Sequence, residues 1–253
     1  MLFLSPSLTS MDSPLMLSQG MLTVLGVQSF CHYRERIPHQ SPLIVISNHR
    51  SFLDAPLLMA ALNRSIHIAC HHYMSQVPVL RELVSGLGCL PLEPQGQPSK
   101  RFFRQATQLL QNQKGIGIFP EGAKPMVEVS APSEVYPFQR GFAHLALQAP
   151  VPNLGILPVA IAAHEERSGL SIPLPLLQFF DPSEPLFQQP GWQPAVIYRR
   201  VSLLIGEPLW ITPEHRQRYQ GKEAKAIVTE ITQRCRDQIT TLLHQGCYER
   251  SSL

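Results

Sequence analysis

The sequence is short of charge. Of its 253 residues, 15% are Asp, Glu, Lys or Arg, while 44% are apolar. Soluble proteins average about 25% charged. That combination excludes disorder, which needs low hydrophobicity and high charge. It points instead to an uncharged surface that faces something other than water. Neither sign of charge dominates: 21 basic against 18 acidic side chains give +3 with histidine neutral. This balance gives no support for a nucleic-acid partner, and it suits an anionic membrane surface or a phosphate-bearing substrate. No run of 18 apolar residues is present, so no conventional transmembrane helix is expected. Residues 13–33 carry no charge, but no basic segment precedes them, and a secretory signal is not expected. The five cysteines (Cys31, Cys70, Cys89, Cys235 and Cys247) include no CxxC pair. That excludes a cysteine-only zinc site of the usual spacing, argues against a disulfide framework, and favours a reducing compartment. No internal repeat is visible.

What is present is a rhythm. Short apolar runs at 43–46, 66–70, 89–92, 115–119, 155–161 and 201–207 read as strands. Between them, 54–62, a segment after Pro78, 101–111 and 139–148 read as helices. Alternation of this kind predicts an α/β fold: one domain with a mostly parallel or mixed sheet flanked by helices. Its expected span is 36–215, after an extension of residues 1–35 and before a C-terminal amphipathic helix within 216–253. That helix is marked by Ala224, Ile227, Val228, Ile231, Cys235, Ile239 and Leu242. Residues 15–30 read as a weakly amphipathic, uncharged helix, either packed on the protein's own core or lying in a membrane interface. Residues 163–195 are rich in proline and lack a period, so they read as an insertion or long loop. The apolar cluster Leu174, Leu176, Leu177, Phe179 and Phe180 sits inside it.

Two motifs carry chemistry. Asn48-His49-Arg50-Ser51-Phe52-Leu53-Asp54 follows directly on the first buried strand, and strand ends are where α/β proteins place ligands. Histidine is the usual general base near neutral pH, and a carboxylate five positions on can reach back to fix its tautomer. The alternative is a helix start capped by Asp54, with His49 merely satisfied. Phe119-Pro120-Glu121-Gly122 follows another buried strand; its glutamate could orient a hydroxyl or a basic partner, or simply be a solvated turn residue.

The order of these motifs, followed by Phe138-Gln139-Arg140-Gly141, Leu157-Pro158-Val159 and Ile205-Gly206-Glu207-Pro208, resembles the glycerolipid acyltransferase family. Its type member acylates 1-acylglycerol-3-phosphate. The resemblance implies a general base His49 oriented by Asp54. It also implies a substrate site drawn from Asn48, Ser51, Glu121, Gly122, Lys124, Arg140 and Pro158. It implies direct attack of a lipid hydroxyl on an acyl thioester, carried by CoA or acyl-carrier protein, with no metal or other cofactor. The setting it implies is the cytoplasmic side of a membrane, as a peripheral or monotopic protein. The alternatives are another lipid alcohol as acceptor, or an idle lipid-binding protein of the same fold. Two places depart from the family pattern. Pro94 stands where the family often has an arginine, and Glu121-Gly122-Ala123-Lys124-Pro125 replaces a Glu-Gly-Thr-Arg-Ser run. A bidentate fork for phosphate is therefore absent or replaced by Lys124, unless Lys100, Arg101 and Arg104 substitute. His67, His71 and His72 form no convincing metal motif, since 66–70 reads as strand.

Overall fold

The computed structural model describes residues 13–70, 85–93, 100–122, 124–127, 131–173 and 192–246. Helix α1 (Ser13–Val24) leads into strand β1 (Gln28–His32). Then come β2 (Leu43–Ser47), α2 (Asp54–Leu62), β3 (Ile66–Cys70) and the two-residue β4 (Leu90–Pro91). They are followed by α3 (Lys100–Gln111), β5 (Gly115–Ile118), the single turn α4 (Lys124–Val127) and α5 (Gly141–Gln148). The long strands β6 (Gly155–Pro173) and β7 (Trp192–Ile205), the short β8 (Leu209–Trp210), α6 (Pro213–Gln220) and α7 (Ala224–Gly246) complete the order.

The strands form one mixed sheet in the order β1-β7-β6-β2-β5-β3-β4, with β8 on β6. Pairings are parallel except β6 with β7 and β6 with β8. Central β2 is buried along its whole length, as expected for a parallel strand covered on both faces. Period two divides its side chains between two cores. Ile44 and Ile46 join Ala106, Leu110, Phe142, Ile227 and Ile239 under α3, α5 and α7. Leu43 and Val45 join Leu22, Leu57, Leu58, Ile66 and Leu203 under α1 and α2. The expected strands at 43–46 and 66–70 and the helices at 54–62 and 224–242 form where periodicity placed them.

Two expectations fail. The helix expected over 15–30 stops at Val24, and residues 28–32 are instead an edge strand parallel to β7. The cause is Gly26, at φ +66. Its N–H bonds the Thr23 carbonyl at 3.1 Å and that of Val27 bonds the Leu22 carbonyl at 3.0 Å, a glycine-terminated helix cap. The insertion expected over 163–195 is, where described, two arms of an antiparallel pair that extends β6 and β7. Register shifts at Ala163/Glu165, Glu165/Glu166 and Ser168/Leu170 break period two there, which hides the strands from a periodicity reading. The cluster from Leu174 to Phe180 and most of the segment after Pro78 lie outside the described residues. Among the described residues, no helix is long and apolar enough to cross a membrane.

Candidate active site

Strands β2 and β5 are parallel neighbours, with Ile46 opposite Ile118. Their carboxyl ends therefore deliver the two motifs to one place, and that adjacency closes the 72-residue gap between His49 and Glu121. Beyond β2 the chain turns tightly before α2 begins at Asp54. The Asp54 carboxylate folds back into that turn. Its Oδ2 accepts from the backbone N–H of Arg50 at 2.7 Å and of Ser51 at 2.8 Å. The same oxygen lies 2.8 Å from His49 Nδ1. A carboxylate only accepts, so Nδ1 carries the hydrogen and Nε2 is left bare. The Asp54 side chain is fully buried, whereas that of His49 keeps 20% of its surface open. The imidazole face stacks on Phe119, centroids 4.1 Å apart and planes 14° from parallel. A base fixed in one tautomer and one plane, on a ring that keeps part of its surface open, can take a proton from an incoming hydroxyl.

Glu121 sits just beyond the end of β5. It is 5% exposed and faces inward. Its Oε1 accepts from the His49 backbone N–H at 3.0 Å, and its Oε2 from that of Tyr136 at 2.6 Å. Burial pushes its carboxyl up to about 7; the two backbone bonds and the His49 charge oppose that, and the Asp54 charge adds to it. Gly122, at φ +72, closes the turn, its N–H bonding the Phe119 carbonyl at 3.2 Å. Asn48 is spent on structure. Its Nδ2 donates to the Ile161 carbonyl at 2.9 Å, and its Oδ1 accepts from the Ile161 N–H at 2.8 Å, tying the end of β2 to β6. Ser51 Oγ donates to the Val196 carbonyl at 2.5 Å and accepts from the Leu53 N–H at 3.1 Å.

The other residues singled out in the sequence lie further out. Lys124 is exposed and holds its ammonium 4.8 Å from the centre of the Tyr136 ring. Arg140 is exposed at the start of α5. Pro158 is buried in β6 opposite Ile46, and its carbonyl accepts from the Gly206 N–H at 2.8 Å. Lys100, Arg101 and Arg104 are exposed on α3, whose first amides, those of Arg101 and Phe102, are taken by Glu93 Oε1 at 2.9 and 3.1 Å. His67 Nδ1 sits 2.8 Å from the Gly88 carbonyl oxygen. Pro94, His71 and His72 lie outside the described residues.

Three contributors escaped the sequence reading. Tyr198 donates its hydroxyl to Asp54 Oδ1 at 2.8 Å. Glu166 accepts from Arg50 at 2.9 Å. The Tyr136 backbone holds Glu121. Glu166 and Tyr198 stand opposite each other on β6 and β7, in the arms whose strand signal was broken.

A family model described as Acyltransferase matches residues 28–162, more than half of the chain. The chain belongs to the acyltransferase family. Its match begins at the first residue of β1 and takes in both motifs. Mouse 1-acyl-sn-glycerol-3-phosphate acyltransferase alpha is 27% identical over 168 residues, covering 66% of this chain and 52% of the relative. The human protein of the same name is 29% identical over 153 residues, 56% and 48% of the two chains. The chain thus spans about half the length of the curated relatives it matches. Among solved structures, the 1-acyl-sn-glycerophosphate (LPA) acyltransferase PlsC of Thermotoga maritima superposes with a TM-score of 0.52 at 19% identity, over 89% of this chain and 78% of that one. This likeness shows the acyltransferase fold of the domain.

Proposed function

We propose that this acyltransferase moves a fatty acyl group from acyl-CoA or acyl-carrier protein to the free hydroxyl of a lysophospholipid, 1-acylglycerol-3-phosphate first among them. The observation that carries the reading is the His49–Asp54 pair, 2.8 Å apart at the carboxyl end of β2, with Asp54 buried and His49 partly open. The acceptor hydroxyl gives its proton to Nε2 as its oxygen attacks the thioester carbonyl. The tetrahedral adduct expels the thiolate, which takes the proton back from Nε2. Atoms and charge balance without a cofactor or an acyl-enzyme. Phe52, inside the His49–Asp54 loop, is 37% exposed and offers an apolar side chain to a lipid substrate. The mouse and human relatives named above act on 1-acyl-sn-glycerol-3-phosphate by name, which supports that acceptor.

A second acceptor class has an observation of its own. The Lys124 ammonium lies over Tyr136, and Glu93 takes the α3 amides. Neither the Lys124 ammonium nor the α3 amides give a phosphate the paired donors of a guanidinium; Arg101 and Arg104, exposed on α3, are the guanidiniums near that place. The reading for this chain is therefore a milder preference for lysophosphatidate over other lysolipids than a relative with arginine there would show.

The protein works at a membrane surface, peripherally or monotopically on the cytoplasmic side. Met16, Leu17, Val24 and Leu25 of the α1 region are 39–87% exposed, and Phe30 on edge strand β1 is 44% exposed. Acyl transfer is tested with labelled acyl-CoA and acyl-carrier protein against a lysolipid panel, read by lipid mass spectrometry. Transfer abolished in His49→Ala supports the proposal; no transfer to any acceptor with either donor overturns it.

A further inference from the structure

We propose that Tyr198 is a positioning residue of this acyltransferase, holding the Asp54 carboxylate so that the His49 proton stays on Nδ1; the proposal rests on the acyl-transfer reading above. Tyr198 reaches the site from β7, 144 positions after Asp54, and donates its hydroxyl to Oδ1 at 2.8 Å. Oδ2 has three other donors: the amides of Arg50 and Ser51, and the His49 ring. The two carboxylate oxygens thus divide the work, with Tyr198 serving Oδ1. Both side chains are closed to solvent, Tyr198 at 1% and Asp54 at 0% exposure, so water cannot replace the phenol.

The ring of Tyr198 packs in the apolar cluster under α1 and α2, a place where phenylalanine would satisfy the packing. The hydroxyl is the one polar atom of that side chain, and its partner is the catalytic carboxylate. Burial, with the Asp54 charge beside it, pushes the phenol well above its usual range, so it stays a donor throughout neutral pH. The same arms fix the loop twice more. Glu166, opposite Tyr198 in register, takes the Arg50 guanidinium at 2.9 Å, and the Val196 carbonyl takes Ser51 Oγ at 2.5 Å. Arg50, Ser51 and Asp54 are therefore all fastened from the β6–β7 pair, outside the motif. A carboxylate with a bare, buried Oδ1 holds its negative charge less well. It then takes up a proton from solvent more readily; the protonated carboxyl donates to Nδ1, the ring carries its one hydrogen on Nε2, and the imidazole loses its single tautomer.

The test pairs Tyr198→Phe with ¹⁵N NMR of the His49 ring in the full chain without substrate, its signals assigned by their loss in His49→Gln. The expected result is that the Nδ1 resonance moves toward the value of an unprotonated nitrogen. With it, kcat falls roughly tenfold while KM for the lysolipid stays within about twofold, the pattern of a group acting only in the transition state. An unmoved Nδ1 resonance, or a kcat within twofold of wild type, overturns the proposal. Should Tyr198→Phe fail to fold, 3-fluorotyrosine at position 198 keeps the shape and makes the phenol a stronger donor. The Nδ1 resonance then moves the opposite way, and no movement overturns the proposal. The NMR arm needs no turnover. A wild-type protein without acyl transfer would defeat the proposed function while leaving Tyr198 to be judged on the ring signals.

Discussion

At the residue scale, His49 and Asp54 could be picked from the chain because strand, histidine and carboxylate follow one another within a dozen positions. Their geometry sharpens two expectations. His49→Ala should remove about 10²–10⁴-fold of the turnover, the usual contribution of a general base; a variant with a third of the wild-type rate would show that His49 is not the base. Asp54→Asn should be at least as harmful. Oδ2 faces three donors and Oδ1 a fourth, so the amide must turn its own N–H at one of them. Turnover should fall about 10²-fold or more and stability by about 1–3 kcal/mol, checked by single-turnover rates and thermal melts together. Glu121 was legible as a motif but not in its part. A strand-end glutamate looks solvated or substrate-facing until the fold buries it under the His49 amide. With its carboxyl raised from 4.5 to about 7 by burial, the folded state binds the proton more tightly than the unfolded chain does. Its stabilising contribution is full below about pH 4.5 and is lost as pH rises through about 7, by on the order of 3 kcal/mol. Chemical denaturation across that window, wild type against Glu121→Gln, should show the loss in wild type alone. A constant difference between the two would mean that Glu121 does not titrate there.

At the element scale, the helices and central strands follow from periodicity because each buries one regular stripe or both faces of a short run. The β6–β7 arms do not, since bulges shift the inward positions and proline obscures the strand signal. They nonetheless carry Glu166, Val196 and Tyr198 to the His49–Asp54 loop. Helix α6 shows a similar remote service. It starts on a Thr212 capping box with proline at its first turn. Its Arg216 then donates to the carbonyls of Leu147, Ala149 and Val151, closing the end of α5. Arg216→Ala strips donors from those carbonyls. The expected cost is about 1–3 kcal/mol, a Tm lower by several degrees, with little change in KM. A melt identical to wild type would mean that water satisfies the carbonyls equally well.

At the scale of the whole molecule, the low charge reads as a surface for lipid rather than water. The exposed apolar side chains of α1 are the proposed place of that surface. Binding to phospholipid vesicles should survive 1 M salt, because apolar insertion is not screened as a polybasic contact is. Leu17→Asp with Val24→Asp should weaken it about tenfold or more in sedimentation, since these side chains are 42% and 87% exposed and insertion scales with buried apolar area. Substitution is the proper probe, because removing residues 1–30 would cut into β1. Full release of the intact protein by salt alone would place the attachment in charge instead.

The sequence by itself determined the α/β alternation, the two motifs and their family, and the stripe of α7. Each of these is local: a period, a strand end, a five-residue spacing. It also held the Gly26 stop signal, which a charge-free stretch made easy to pass over. Tertiary structure decided what no spacing encodes. The parallel pairing of β2 with β5 turned Glu121 from a turn residue into the support of the His49 backbone. The antiparallel pairing of β6 with β7 set a tyrosine hydroxyl against Asp54 across 144 positions. Hydrogen bonds between distant strands depend on register, and register is settled by packing of the whole sheet rather than by the residues on either side of the bond.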